Sequence, residues 1–205
     1  MMATLIMDRA LEGRLRAERA ESGSDRYDEV WEGTTMMAPM PNIEHQDLVN
    51  RLATIFQEII GWPELGIVLP GCNVSDRKED WQENYRVPDV AVVLSEGGAQ
   101  NLDTHWCGGP DFVVEVVSRD DKTREKLPFY AAVGVRELLV VDRAPWRLEL
   151  YRLVDRQLTL AGTSELPNGE PLNSEILPFT FCLVSSPLRP RIHVVNADGE
   201  KEWHV

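Results

Sequence analysis

The chain lacks the sequence features of secreted, membrane-spanning and zinc-binding proteins. Its three cysteines, Cys72, Cys107 and Cys182, lie far apart without a CxxC pair, so neither a disulfide framework nor a zinc site is indicated. No apolar run approaches the roughly 20 residues that cross a bilayer. The first residues mix acids and bases around a short apolar stretch, unlike a signal peptide. These absences predict a protein of the reducing cytoplasm, with no membrane partner.

Positive charge is also scarce. Twenty-one Lys and Arg face 34 Asp and Glu, which gives a net charge of −13 and counts against a nucleic-acid partner. The charge is uneven, because residues 119–156 hold nine Lys and Arg against seven Asp and Glu. This concentration of basic side chains is either a binding surface or an ordinary solvated helix and hairpin of mixed charge.

The apolar pattern predicts an α/β domain. Apolar spacing indicates helices over 3–20 and over 43–60, the second capped by Asn42. Alternating or continuous apolar runs predict strands, and Gly134 predicts the left-handed end of a short helix. We expect three parts: a helical extension over 1–25, one folded domain over 26–185 and a tail of little pattern over 186–205.

Two predicted strands carry the most informative residues. The run Phe112–Val117 is apolar on both faces except for Glu115, and Val90–Leu94 is preceded by Asp89. A buried carboxylate is costly unless a cation or several donors compensate its charge. Two acids on adjacent buried strands, followed by Lys126, are the components of a divalent-metal site for phosphodiester hydrolysis.

Each of these residues also has a purely structural interpretation. Asp89 follows Pro88 and could simply cap a turn. Glu115 could form a structural ion pair with Arg136 or Lys126. Lys126 could equally lie on the surface of a helix.

Several segments, taken in order, resemble the Uma2 family of restriction-endonuclease-like proteins in the PD-(D/E)XK nuclease superfamily. No single segment is distinctive, but their order and spacing over roughly 26–185 are quite specific. They are the stretches YDEVWEG at 27–33, RVPDVAVV at 86–93, GPDFVVEVVS at 109–118, KLPFYAAVGV at 126–135 and LPF at 177–179. The resemblance implies a restriction-endonuclease-like core, in which helices flank a mixed central sheet.

The resemblance makes Asp89 the acid of the PD motif and Glu115 the acid of the (D/E)XK motif. Its third position is Val117 here instead of lysine, a departure that the Uma2 branch shares. In that branch the lysine stands on the following helix, which points to Lys126. Rivals for the role are Lys122 and Arg124. Because Pro128 fits a first helical turn, we expect the helix to begin near Leu127, with Lys126 beside the acids.

Four further residues are minor candidates. The resemblance implies that His45 on the second helix, and more weakly Glu29, could contribute to the site. Asp111 shares a strand face with Glu115 but could only cap the strand start. Tyr130, four residues after Lys126, could support the lysine or merely pack.

The implied activity is hydrolysis of DNA by a Mg²⁺-dependent endonuclease, with Mn²⁺ as a possible substitute. Asp89, Glu115 and a strand carbonyl near Val116 would hold the metal, and Lys126 would orient water or stabilise phosphoryl charge. Because the chain is so acidic, we expect a homodimer that joins two 119–156 segments into one positive groove. The alternative is a catalytically degenerate nuclease fold that binds nucleic acid or protein, which the acidic surface and Val117 favour.

Overall fold

The computed structural model describes residues 9–118 and 122–205, and within these ranges the chain forms three α-helices and sixteen β-strands. The helices are α1 (Arg9–Ser22), α2 (Ile43–Phe56) and α3 (Leu127–Val133). The strands are β1 (Glu29–Trp31), β2 (Thr34–Met36), β3 (Gly66–Leu69), β4 (Val74–Ser75), β5 (Tyr85–Arg86), β6 (Val90–Leu94), β7 (Gln100–Asn101), β8 (Trp106–Cys107), β9 (Phe112–Val116), β10 (Glu137–Arg143), β11 (Trp146–Val154), β12 (Gln157–Ser164), β13 (Leu172–Asn173), β14 (Phe179–Val184), β15 (Arg191–Asn196) and β16 (Glu202–His204).

The central sheet is mixed and has the strand order β12-β11-β10-β9-β6-β3. Only β9 and β10 run parallel, and the other neighbours are antiparallel. The strand that follows Asp89 therefore lies directly beside the strand that contains Glu115. The predicted α/β class and the predicted adjacency of these strands are confirmed.

Both faces of the central sheet are covered, as the apolar strands require. On one face α2 and a four-stranded sheet, β13-β14-β15-β16, pack against Val114 and Val116. On the opposite face α3 packs against Val113 and its neighbours. Because side chains alternate along a strand, Glu115 shares the face of Val113 and points towards α3. Helix α2 packs on the other face, as expected for the helix predicted over 43–60.

The helix ends follow the local signals in the sequence. The Asn42 side chain accepts a hydrogen bond of 2.9 Å from the backbone N–H of His45, which caps α2. Pro128 lies in the first turn of α3, and Gly134 ends the helix at φ 92°. After α2 a π-helical turn over Gln57–Gly61 leads into β3.

A second six-stranded sheet is built from strands between residues 29 and 107. The hairpin β1-β2 belongs to a sheet of order β2-β1-β5-β4-β8-β7. Helix α1 is tied to this hairpin region, because Arg19 pairs with Asp28 at 2.6 Å and Thr35 donates to Glu12 at 2.6 Å. The beginning of the helix predicted over 3–20 falls outside the described residues.

The segment 186–205 differs from the expected tail. It contains β15 and β16, which extend the four-stranded sheet, and Ile192, Val194 and Val205 are buried in the main core. Strand β16 has three residues, too few for alternation to be detected, whereas the six residues of β15 do alternate in burial and were not predicted as a strand.

Two further expectations concern the cysteines and the membrane. Cys72, Cys107 and Cys182 are free thiols. None of the helices in the described ranges is both long and apolar enough to cross a bilayer.

Candidate functional site

The site begins where β6 and β9 meet. Val90 pairs with Val114 in the antiparallel register, so one step further Asp89 lies opposite Glu115. The backbone N–H of Val116 donates to Oδ2 of Asp89 at 2.7 Å. Since the N–H and C=O of one strand residue point to the same side, the Val116 carbonyl also faces the edge where Asp89 lies. The two acids and the strand carbonyl predicted for the site are therefore grouped at one end of two adjacent strands.

Glu115 is almost completely buried and binds two side chains from the segment that includes α3. Nζ of Lys126 lies 3.1 and 3.2 Å from its two carboxylate oxygens. The Tyr130 hydroxyl donates a hydrogen bond of 2.5 Å to Oε1 of Glu115. Lys126 ends a 3₁₀ turn directly before α3, so lysine and tyrosine stand one helical turn apart on the face that covers the sheet.

Glu29 joins the hairpin to this cluster. Its Oε1 lies 2.8 Å from Nζ of Lys126 and accepts the backbone N–H of Val87 at 3.0 Å. Its Oε2 accepts the indole N–H of Trp31 at 2.7 Å. Lys126 is therefore held between two buried carboxylates, Glu29 and Glu115.

His45 brings α2 to the same place. Its Nε2 lies 3.2 Å from Oδ2 of Asp89, and the ring is buried. The other ring nitrogen, Nδ1, is buried and has no hydrogen-bond partner within the described chain. His45 thus contacts Asp89, the predicted acid of the PD motif, from α2, which packs on the face of the central sheet opposite α3.

Burial and neighbouring charge shape the ionisation of the cluster. Burial raises the pKa of Glu115 from 4.5 to about 8; Lys126 acts in the opposite direction, while the charges of Asp89 and Glu29 add to the increase. Burial, followed by the negative charge of Glu115, raises the pKa of the Tyr130 hydroxyl well above its usual value. Tyr130 therefore remains a hydrogen-bond donor at neutral pH.

The donor set fits a hard divalent cation. In the described ranges no three His, Cys, Asp or Glu side chains converge closely enough to hold a metal ion as they stand, and Glu115 contacts Lys126. Two carboxylates, Glu29 and Glu115, nevertheless contact one ammonium, and burial raises the pKa of Glu115, so its charged form gains from a further cation nearby. Carboxylate oxygens are the ligands that Mg²⁺ and Mn²⁺ prefer. Asp89 and Glu115 are the pair that such an ion would neutralise.

One predicted candidate lies elsewhere. Asp111 stands at the start of β9, four residues or about 13 Å along the strand from Glu115. It accepts the backbone N–H of Leu94 at 2.8 Å and pairs with Arg136 at 3.2 Å. These contacts link strands structurally. They favour the interpretation of Asp111 as a cap of the strand start over that of a site residue.

The rivals of Lys126 are engaged away from Glu115. Lys122 pairs with Glu125 at 3.1 Å, and Arg124 pairs with Asp142 and with Glu149. Lys126 is the member of the three that contacts Glu115, as the position of Pro128 predicts. Its chemical role stays a prediction.

Arg86 and Trp31 also lie in this region and were not predicted as site residues. The buried guanidinium of Arg86 lies between the rings of Trp31 and Phe129, at 4.5 and 4.2 Å from their centroids. Burial lowers its pKa, and the charge of Glu29 opposes the change. One feature of the sequence could have identified Arg86. It stands directly before the Val-Pro-Asp sequence, which ends in the candidate ligand Asp89.

Most arginines of the basic segment already pair with carboxylates of the same chain. Besides those of Arg124, the described pairs are Arg136 with Asp111, Arg143 with Glu44, Arg147 with Asp142, Glu149 and Glu165, and Arg152 with Glu137 and Glu175. These pairs reduce the positive charge that this segment offers to a phosphate.

Comparisons with known proteins agree with this architecture. A solved structure of a putative nuclease belonging to DUF820 from Anabaena variabilis is similar to this chain, with a TM-score of 0.57 and 15% identity over 73% of this chain and 83% of that one. At this identity the likeness shows the fold. No match was found among curated proteins. The model of the Uma2 family, described as putative restriction endonuclease, matches residues 15–185. The chain therefore belongs to the Uma2 family.

Proposed function

We propose that the protein is a Mg²⁺-dependent DNA endonuclease with a PD-(D/E)XK-type site. The observation that carries this proposal is the grouping of Asp89, Glu115 and Lys126 at the adjacent ends of β6 and β9, with the Glu115 carboxylate buried against Lys126. Membership of a nuclease family supports a nucleic-acid substrate. The proposal further specifies DNA as the substrate and Mg²⁺ as the metal, with Mn²⁺ as a possible substitute.

The chain's own residues have separable tasks. Asp89 and Glu115, with the Val116 carbonyl, would hold the metal, which when bound polarises a phosphoryl oxygen and lowers the pKa of water. Lys126 contacts both Glu29 and Glu115, so it keeps a carboxylate partner when Glu115 turns to a metal. Its ammonium would orient the attacking water or stabilise charge on the phosphoryl group. Water then adds across one P–O bond, leaving a phosphate on one end and a hydroxyl on the other.

The remaining contacts position these groups. Tyr130 fixes one oxygen of Glu115, and His45 fixes Asp89 from α2. Glu29 holds Lys126 and connects it to the backbone directly before Pro88. The chain thus supplies a positioning contact for each of the three proposed catalytic groups.

We also propose that the protein is cytoplasmic, because its cysteines are free, and that it works as a homodimer. A single copy with a net charge of −13 is poorly suited to hold duplex DNA. The ion pairs within 122–156 reduce the positive charge that this segment could offer to DNA. They therefore argue against a positive groove built from that segment alone.

The test is cleavage of supercoiled plasmid and of single-stranded DNA with Mg²⁺, Mn²⁺ or EDTA. We expect metal-dependent cleavage that falls by at least about a hundredfold in Asp89→Asn and Glu115→Gln. Asp111→Asn is the matched control, since it changes a buried acid of the same strand outside the site. Cleavage that survives EDTA and both site substitutions would contradict the proposal. If no DNA is cut and calorimetry detects no Mg²⁺ binding, the protein is the degenerate binding module instead.

A further inference from the structure

An end strand of the central sheet is open to another chain. Among residues 9–118 and 122–205, strand β3 has β6 as its one strand partner, in an antiparallel register without a bulge. Its four residues carry no charge, and Pro63 and Pro70 flank it. Charged residues, proline within the strand and bulges commonly protect edge strands, and β3 contains none of these, although it is only four residues long.

The same strand exposes large apolar side chains. Val68 is buried towards α2, whereas Leu65 and Ile67 on the opposite side are 55% and 45% exposed. Trp62, in the turn that leads into the strand, is 68% exposed. Large apolar side chains grouped along an open sheet edge are typical of a surface that pairs with another chain.

The hydrogen-bond pattern shows which backbone groups face outward. The N–H of Ser95 donates to the carbonyl of Leu65 at 2.9 Å, so Leu65 points its carbonyl at the neighbouring strand. Since backbone groups alternate along a strand, Ile67 and Leu69 also face β6, and Gly66 and Val68 face the open edge. Within the described ranges these outward groups have no other strand as a partner.

We propose that β3 is a dimer contact, in which it pairs antiparallel with β3 of a second copy about a two-fold axis at Ile67. In this register Gly66 of one copy lies opposite Val68 of the other. Because both residues face outward, the two pairs exchange four backbone hydrogen bonds. Any other centre on this strand forms fewer such pairs between outward-facing residues.

The side-chain pairs are also compatible with a two-fold axis at Ile67. The two Ile67 residues form a non-hydrogen-bonded pair, in which Cα atoms lie about 4.5 Å apart and the side chains are in contact. Leu65 lies opposite Leu69 of the second copy on the same face. Glu64 lies opposite Pro70, so the register brings no like charges together. The contact is thus self-complementary in hydrogen bonds, apolar surface and charge.

The geometry keeps the two catalytic sites apart. The two copies of β6 would be separated by three strand spacings, about 14 Å, and β10 and β11 would lie farther out. Two 119–156 segments could not then form one groove, so this dimer excludes the arrangement expected from the sequence. Four hydrogen bonds and one apolar row are a small interface compared with the roughly 800 Å² per partner of stable complexes. We therefore expect a dimer that dissociates on dilution.

Sedimentation velocity tests the contact. Wild-type protein from about 5 to about 500 µM, in about 0.3 M salt to screen its charge, should pass from monomer to dimer. Ile67→Lys places two ammonium groups at the axis and should weaken the dimer by about tenfold or more. Leu160→Lys is the matched control, because Leu160 is 53% exposed on β12, the other edge strand. It should dimerise as the wild type does, and circular dichroism should show both variants folded.

Cross-linking gives the register. Ile67→Cys places two thiols at a Cα separation that a disulfide can span, so mild oxidation should yield a reducible covalent dimer. Leu160→Cys and the wild type measure the background from the native cysteines. A wild type that stays monomeric at the highest concentration would overturn the proposal. So would a dimer that Ile67→Lys leaves intact, or an Ile67→Cys variant that cross-links no faster than Leu160→Cys.

Discussion

The hydroxyl of Tyr130 donates a hydrogen bond of 2.5 Å to Oε1 of Glu115, and both side chains are buried. One carboxylate oxygen is thereby fixed from α3 while the strand fixes the backbone of Glu115. The contact connects the packing of a core tyrosine to the position of a candidate metal ligand.

Tyr130→Phe should reduce cleavage more than it reduces stability. The ring remains in the core, but Glu115 loses one donor and its pKa rises further, because this hydrogen bond lowers it. We expect the free energy of unfolding to fall by about 1–3 kcal/mol and kcat to fall by about tenfold. The ascending limb of the pH–rate profile should move to higher pH.

Tyr151→Phe is the control for that substitution. The Tyr151 hydroxyl donates to Glu149 at 2.7 Å, in an ion-pair cluster away from Glu115. Unfolding by urea and cleavage kinetics should show a comparable stability loss without the change in kcat. Equal effects of the two variants on kcat would mean that Tyr130 acts only through packing.

Lys126→Met should destabilise the metal-free protein strongly. The substitution leaves Glu29 and Glu115 as buried carboxylates without their shared cation. Breaking a buried ion pair in this way lowers the free energy of unfolding by about 3–5 kcal/mol. Mg²⁺ should restore more stability to this variant than to the wild type, and cleavage should be lost.

Lys122→Met provides the comparison. Lys122 pairs with exposed Glu125 on the surface, so its loss should cost less than about 1 kcal/mol and leave cleavage intact. Thermal unfolding with EDTA or Mg²⁺ measures both variants. Loss of cleavage in Lys122→Met alone would show that the lysine has been assigned wrongly.

In EDTA, the stability of the protein should fall as the pH rises. The pKa of Glu115 is about 8 in the folded protein, above its usual value of 4.5. The unfolded chain therefore gives up this proton first, and stability is lost from about pH 4.5 through about pH 8. Urea unfolding between about pH 5 and about pH 9 should show a steeper loss in the wild type than in Glu115→Gln, whose amide does not titrate. Identical slopes would rule out the raised pKa.

The sequence predicted the centre of the site because its signals are local. Glu115 interrupts a strand that is otherwise apolar on both faces, and Asp89 stands at the entrance of a similar strand. Pro128 fixed the start of α3 and therefore the place of Lys126. Each inference needed only the residues of one short segment.

The parts that sequence analysis missed depend on contacts between distant segments. Arg86 comes between Trp31 and Phe129 only after the hairpin and α3 fold against the strand that contains it. Strand β4 has two residues and gains its order from pairing with β5 and β8, so its periodicity is too short to detect. The same holds for β16, whose place is set by the sheet that it extends.

His45 should prove a positioning residue for Asp89. Its Nε2 lies 3.2 Å from Oδ2 of Asp89, the oxygen that also accepts the N–H of Val116. His45→Ala removes this contact, so Asp89 can turn away, and we expect Mg²⁺ affinity and kcat to fall by about tenfold or more. His45→Gln can place an amide nitrogen near the position of Nε2 and should recover much of the loss. Calorimetric Mg²⁺ titration and cleavage rates measure the two variants, with Gln46→Ala on the exposed side of α2 as the control. If His45→Ala binds Mg²⁺ and cuts DNA as the wild type does, the histidine contributes only to the packing of α2 against the strands.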